Sequence, residues 1–240
     1  MGLIFNGVHS SAFGLGAKII RSLLPGNSDA YIDVHGRAGS ILFPGKPKDR
    51  FIPVEFGFMP GSRGLFRLKV WEFSGWLNTE ERKILIIDDE PGKYYIGKVE
   101  DQVDLEQAYL LGKFTATFRC EPFAYGPEQT TEFTDDAVTV NNLGSQIAPP
   151  RFSVIFTAAA TEWKVALSTE YIRVVHAFQS GDSMEVNIAT GAVLINGTQA
   201  MDDLDWQNSR FFNLAPGSNS LVITPTDVCA VTVKYTPRWL

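Results

Sequence analysis

The chain has 240 residues, 45% hydrophobic and 20% charged, with a formal net charge of −6. Those proportions belong to a folded chain with a core, and they exclude a disordered tail, a collagen-like repeat and a coiled coil. The longest apolar stretch, Phe152 to Ala160, is far short of the roughly 20 residues that a membrane helix needs. No basic segment followed by an apolar run opens the chain, so neither membrane insertion nor a secretory signal is expected. Met1-Gly2 begins like a myristoylation signal, but position 6 is Asn6 where Ser or Thr is required.

In chain order, the first predicted strand of note is Phe51 to Met59, ended by Pro60-Gly61. A single helix is predicted from Ser62, a residue type that accepts a hydrogen bond from a free amide of the first turn. Phe66, Val70, Phe73 and Leu77 recur at spacings of four, three and four, one face of a 3.6-residue period, and Asn78-Thr79 closes the element. Strands follow at Ile84 to Ile87 and Tyr94 to Val99, joined by the acidic turn Asp88-Asp89-Glu90-Pro91-Gly92. Leu110 to Arg119 is a further strand, with Phe114, Ala116 and Phe118 opposed to Thr115, Thr117 and Arg119. Glu121-Pro122-Phe123-Ala124-Tyr125-Gly126-Pro127 interrupts the strand pattern with two prolines and a glycine, which predicts a boundary: one domain over 1–126, a second over 127–240.

The second region reads as strands throughout. Met184, Val186 and Ile188 alternate with Glu185 and Asn187, and Val231, Val233 and Tyr235 alternate with Thr232 and Lys234. Ala192 to Ile195 runs into Asn196-Gly197, the dipeptide favoured in tight hairpins because both residues accept positive φ. Short strands at this spacing predict an antiparallel sandwich of jelly-roll type. Asn196-Gly197-Thr198 is also a formal glycosylation sequon, read here as the hairpin turn.

Charge is divided unevenly between these regions. Residues 1–125 hold 15 Lys and Arg against 15 Asp and Glu, whereas residues 126–240 hold 6 against 12, so the whole −6 lies in the second region. Neither offers the cation cluster that sequence-independent nucleic-acid binding requires. Such a neutral or acidic surface suits a protein that DNA passes without adhering. Cys120 and Cys229 are 109 positions apart, with no Cys or His at metal-ligand spacing, and are expected to be reduced and mostly buried, with a disulfide between the two regions as the alternative.

No motif for catalysis is present. His9, His35 and His176 are scattered, and no HExxH pair, G-x-S-x-G elbow or Walker sequence occurs. Gly14-Leu15-Gly16 lacks the third glycine of a dinucleotide loop. Acidic groups at Asp88-Asp89-Glu90, Asp135-Asp136 and Asp202-Asp203-Asp205 read as solvated loops, with glycoside hydrolysis and calcium binding by the third group as alternatives. No cofactor and no metal are expected. Trp163 and Trp206, each beside an acid, are candidate sugar-stacking residues, with a core or subunit anchor as the competing reading.

The order of features resembles the distal tail protein family of long-tailed, non-contractile bacteriophages. The residues that carry the resemblance include Phe5-Asn6-Gly7, Phe13-Gly14-Leu15, Val34-His35-Gly36-Arg37-Ala38-Gly39 and Trp76-Leu77. Asp88 to Tyr95 and Phe118 to Tyr125 follow, and in the second region Asn141-Asn142-Leu143-Gly144, Pro149-Pro150, Leu214-Ala215-Pro216-Gly217-Ser218-Asn219 and Tyr235 to Leu240. The family usually has Pro where His35 stands.

The resemblance implies a mainly β protein. Its N-terminal α+β domain would be a β-sandwich with one helix and a hairpin, and its C-terminal domain a galectin-like or jelly-roll sandwich. It implies a non-enzymatic ring, commonly of six copies, joining tail tube to baseplate in the virion after assembly in the host cytoplasm, with DNA leaving through its channel. Implied partners are the tail tube protein, a hub, lysin or tail-fibre protein, and in some members a receptor-binding protein. Gly36 and Arg37, and the tip Asp89, Pro91 and Gly92, are the expected ring or partner contacts. The alternatives are a stand-alone glycan-binding sandwich using Trp163 or Trp206, a polysaccharide hydrolase, and a contractile-tail baseplate ring.

Overall fold

The computed structural model describes residues 1–20, 24–58, 63–100, 112–134 and 136–240, without the side chains of 63–66. Ser62, Met59, Leu110 and Asp135, on which some of the expectations above fall, lie outside that set. The chain divides into two compact units, Met1–Tyr125 with Leu240, and Gly126–Trp239.

The first unit contains β1 (Leu3–Phe5), β2 (Val8–His9), β3 (Gly16–Ile19), β4 (Ala30–Asp33), β5 (Ser40–Phe43), β6 (Arg50–Gly57), α1 (Arg63–Leu77), β7 (Lys83–Ile87), β8 (Tyr95–Val99), β9 (Lys113–Cys120) and β10 (Ala124–Tyr125). Seven of the strands form one antiparallel sheet in the order β2-β1-β7-β8-β9-β6-β3. The alternation that predicted β9 places Ala116, Phe118 and Cys120 on the buried face. α1 closes over that face, burying Phe73, Trp76 and Leu77. The Trp76 indole N–H donates to the Phe5 carbonyl at 2.9 Å, and its ring packs against Phe5, Phe13 and Phe56. Each such apolar side chain removed from water contributes about 1.5–3 kcal/mol.

The second unit contains β11 (Gln129–Phe133), β12 (Ala137–Asn142), β13 (Arg151–Phe156), β14 (Ala160–Leu167), β15 (Glu170–Phe178), β16 (Ser183–Asn187), β17 (Ala192–Ile195), β18 (Thr198–Gln199), β19 (Gly217–Thr224), β20 (Cys229–Tyr235) and β21 (Arg238–Trp239). A six-stranded sheet, β11-β20-β13-β16-β17-β18, and a four-stranded sheet, β12-β19-β14-β15, share one core that includes Phe152, Phe156, Trp163, Val186 and Val233. Asn196 and Gly197 take φ of 49° and 77° between β17 and β18, as the hairpin dipeptide requires.

Two of the motifs that carried the resemblance in this unit, those of Asn142 and Asn219, brace turns. The buried Asn142 amide donates to the carbonyls of Gln146 (2.9 Å) and Leu214 (3.1 Å), and its oxygen accepts from the Gly144 N–H at 3.0 Å. Asn219 holds Ala215 and Gly217 in the same way. A short amide replaces the ladder partners that a turning backbone lacks.

Candidate assembly surface

Among the described residues, β4 and β5 pair only with each other, apart from the seven-stranded sheet. Their register sets Ala30 opposite Phe43, Tyr31 opposite Leu42, Ile32 opposite Ile41 and Asp33 opposite Ser40. Opposed residues share a face and successive pairs alternate faces. One face of the ribbon is therefore Ala30, Ile32, Ile41 and Phe43, and the other Tyr31 and Leu42 with the polar pair beyond them. Tyr31, Ile32, Leu42 and Phe43 are all exposed, Ile32 by 51%. Bonds below the strands extend the ladder: Ser28 N–H to the Lys46 carbonyl at 3.0 Å and Lys48 N–H to the Gly26 carbonyl at 2.7 Å. The result is an arm with apolar side chains on both faces and neither face covered. A two-stranded ribbon alone is marginally stable in water.

Gly36 and Arg37 sit in the turn of this arm. Gly36 and Gly39 have φ of 82° and 80°, a left-handed conformation that side chains disfavour, which explains the two glycines of Gly36-Arg37-Ala38-Gly39. The Arg37 N–H donates to the Val34 carbonyl at 3.1 Å, and its side chain is exposed at the arm's end. The arm was not legible as strands in the sequence, because its apolar residues run together instead of alternating. The available signal was two apolar segments, Tyr31-Ile32 and Ile41-Leu42-Phe43, flanking a glycine-bearing turn.

Asp89, Pro91 and Gly92 are exposed in the turn joining β7 to β8. That turn is anchored at both ends. The Asp88 carboxylate accepts from the Gly2 N–H at 2.7 Å and meets His9 Nε2 at 3.2 Å, while the Tyr95 hydroxyl donates to Glu90 at 2.7 Å.

Trp163 and Trp206 have opposite fates. Trp163, on β14, is fully buried with its ring edge-on to Phe152, so no face is left for a sugar; its sugar-stacking reading is corrected to a core role. Strand parity is the reason, since Glu162 and Lys164 on either side point away from the core. Trp206 is 59% exposed in the loop that follows the 3-10 turn Met201–Asp203, with its indole N–H donating to the Met201 carbonyl at 3.0 Å.

The same loop runs along the edge of β15. Asp205 N–H donates to the Arg173 carbonyl at 3.0 Å and Arg210 N–H to the Tyr171 carbonyl at 2.7 Å. Its acids face basic groups: Asp203 meets His176 Nδ1 at 2.9 Å, and Asp205 meets Arg173 at 3.3 Å, where Glu162 also accepts from the guanidinium. Hydrogen bonding to Glu162 raises the Arg173 pKa above its ordinary value. The Asn208 side chain is the main cause that lowers the Asp205 carboxyl below its own. These carboxylates serve the loop's own structure. Among the described residues, no group of three or more His, Cys, Asp or Glu is arranged to hold a metal ion.

Two family models match the chain, a phage tail protein RIFT-related domain over residues 9–120 and a siphovirus-type tail component, C-terminal domain, over residues 143–239. The distal tail protein of Bacillus phage SPP1 is 30% identical over 185 residues, 74% of this chain and 73% of that protein. Among solved structures, the crystal structure of the SPP1 Dit protein, described as a paradigm of the hub adsorption apparatus in phages infecting Gram-positive hosts, superposes with a TM-score of 0.86 at 20% identity. The match covers 100% of this chain and 99% of that one.

Proposed function

We propose a role that proceeds from the family: the chain belongs to the distal tail protein family of siphophages. The chain is a structural component of the virion tail, a hub that works by shape and contact and catalyses nothing. Copies of the first unit join into a ring, of six by the family's habit, that connects the tail tube to the baseplate and encloses the channel through which DNA leaves. The second unit offers its surface to a hub, lysin, fibre or receptor-binding protein. The ring is built in the host cytoplasm before the virion is complete.

The observation that carries this reading is the arm of β4 and β5, apolar on both faces and uncovered in the single chain. Exposed apolar surface of this kind marks a contact with another chain. The balanced charge of residues 1–125 allows like units to approach without mutual repulsion, and the absence of a cation cluster keeps DNA from adhering in transit.

Light scattering across a concentration series, with and without the tail tube protein of the same phage, tests the ring. The expected result is a discrete assembly near six times 26.5 kDa. Arg37→Glu should abolish that assembly without lowering the melting temperature, because a guanidinium at a subunit boundary binds carboxylates in a geometry that no acid reproduces. A wild-type chain that stays monomeric under both conditions overturns the ring. Glycan binding through the exposed Trp206 is a second reading, favoured by that indole's open face; an array on which Trp206→Ala binds as well as wild type rejects it.

A further inference from the structure

The outer face of the first unit's sheet departs from the pattern expected of a wet surface. A strand with one face in water alternates apolar with polar residues, whereas a strand covered on both sides is apolar throughout. β7 reads Lys83-Ile84-Leu85-Ile86-Ile87, the second pattern. Leu85 and Ile87 are buried on the core face, and Ile84 and Ile86 lie on the other. Pairing sets Ile86 opposite Ile4 of β1, and Ile84 opposite Ile96 of β8. Four isoleucines from three adjacent strands therefore share one outer face, and Ile84 is 51% exposed.

The same unit carries the arm, whose Ala30, Ile32, Ile41 and Phe43 face has no seat. In the single chain, neither surface covers the other, since Ile32 and Ile84 are each half exposed. We infer that the arm of one copy lies across Ile4, Ile84, Ile86 and Ile96 of the next copy in the ring. This rests on the ring reading and names the contact that builds it. Because the two surfaces differ, the contact is head-to-tail, the kind that repeats around an axis until it closes, whereas two like surfaces would stop at a dimer. The dimensions match as well: the four-residue strands of the arm span roughly 13 Å and β7 roughly 17 Å.

Charge decides between this seat and another exposed apolar face of the unit, Leu68 and Trp71 on α1. Arg67 and Lys69 flank that face against the one acid Glu72, a net positive surround that repels a tip carrying Arg37. The isoleucine face ends instead at the acidic turn of Asp88, Asp89 and Glu90. Of the cations toward its other end, Lys83 is held by Glu81 at 3.1 Å and Arg119 by Asp49 at 2.6 Å and Glu100 at 3.0 Å, while Lys98 reaches the Glu80 carbonyl at 3.5 Å.

Paired cysteines test the seat in the full chain, whose own Cys120 and Cys229 are buried and free. Ile32→Cys with Ile84→Cys should give, on oxidation, covalent multimers up to the closed ring, all returned to single chains by reductant. Ile32→Cys with Leu68→Cys should not. As a second variant, Ile84→Glu should lose the ring mass, at least tenfold at a fixed concentration, with its melting temperature unchanged. If the native mass shows a ring and the Leu68 pair cross-links, or Ile84→Glu assembles like wild type, the seat is wrong and the ring stands. A wild-type chain that is monomeric alone and with the tail tube protein overturns both.

Discussion

At the scale of single residues, the positions most tightly specified are those where a side chain replaces a backbone partner or where none fits. Asn142 satisfies two carbonyls and one amide of turning backbone from inside the second unit. Asn142→Ala removes the side-chain partner of the Gln146 carbonyl and the Gly144 N–H, while the Leu214 carbonyl keeps the Ala148 N–H, a loss of about 1–3 kcal/mol that thermal unfolding of the variant should register. Cys120 is fully buried on β9, and burial pushes its thiol up to about 12 from an ordinary 9.0. The folded state thus keeps a proton that the unfolded state releases. Its contribution is whole below pH 9 and is lost progressively as pH rises from 9 toward 12. An alkylating reagent at neutral pH should modify Cys120 only on unfolding, which mass spectrometry across a denaturant series will show. The neighbouring Gly97 has no room for a side chain: a Cβ there would sit 2.5 Å from the Cys120 sulfur and 2.8 Å from the Arg119 carbonyl oxygen. Trp163 and Trp206 show what was readable at this scale and what was not. Both stand beside acids in the sequence, but the polar-apolar alternation Glu162-Trp163-Lys164-Val165 already assigns Trp163 to the core face, while only the folded loop shows Trp206 open to solvent.

At the scale of elements, periodicity served well wherever one face of an element is buried and the other wet. β9, β16 and β20 alternate because water and core compete for successive side chains, and α1 repeats every three to four residues for the same reason. The arm has no core to face, so no alternation marks it, and β7 is apolar on both sides, so its pattern marks a strand without telling which side belongs to the unit's own core. These are the two elements on which the assembly turns. Replacing residues 30–43 with a short turn removes a ribbon in which every residue but Ile41 is exposed. The truncated chain should melt within about 0.5 kcal/mol of wild-type stability, as substitutions away from packed features do, and should remain a single chain by light scattering where wild type forms a ring.

At the scale of the whole molecule, each unit has a core of its own: the sheet face under α1 in the first, and the space between two sheets in the second. A unit that buries its own apolar surface folds without its neighbour. A chain limited to residues 126–239 should therefore give a cooperative thermal transition and the circular dichroism of a β protein; a non-cooperative melt would mean that the second unit depends on the first. The uneven charge follows the same division, with the acidic excess confined to the second unit. The sequence by itself determined the alternating strands, among them β9, β16 and β20, the one helix, the turn at Asn196-Gly197 and, through the order of its motifs, the family. Those follow from short-range causes: side-chain parity, backbone φ at glycine and asparagine, and proline's missing amide. Only the tertiary structure decided that Tyr31, Ile32, Leu42 and Phe43 stand uncovered on an arm, and that Ile4, Ile84, Ile86 and Ile96 meet on one outer face. Exposure and adjacency across strands depend on pairings between residues as far apart as positions 4 and 86, which no local pattern encodes.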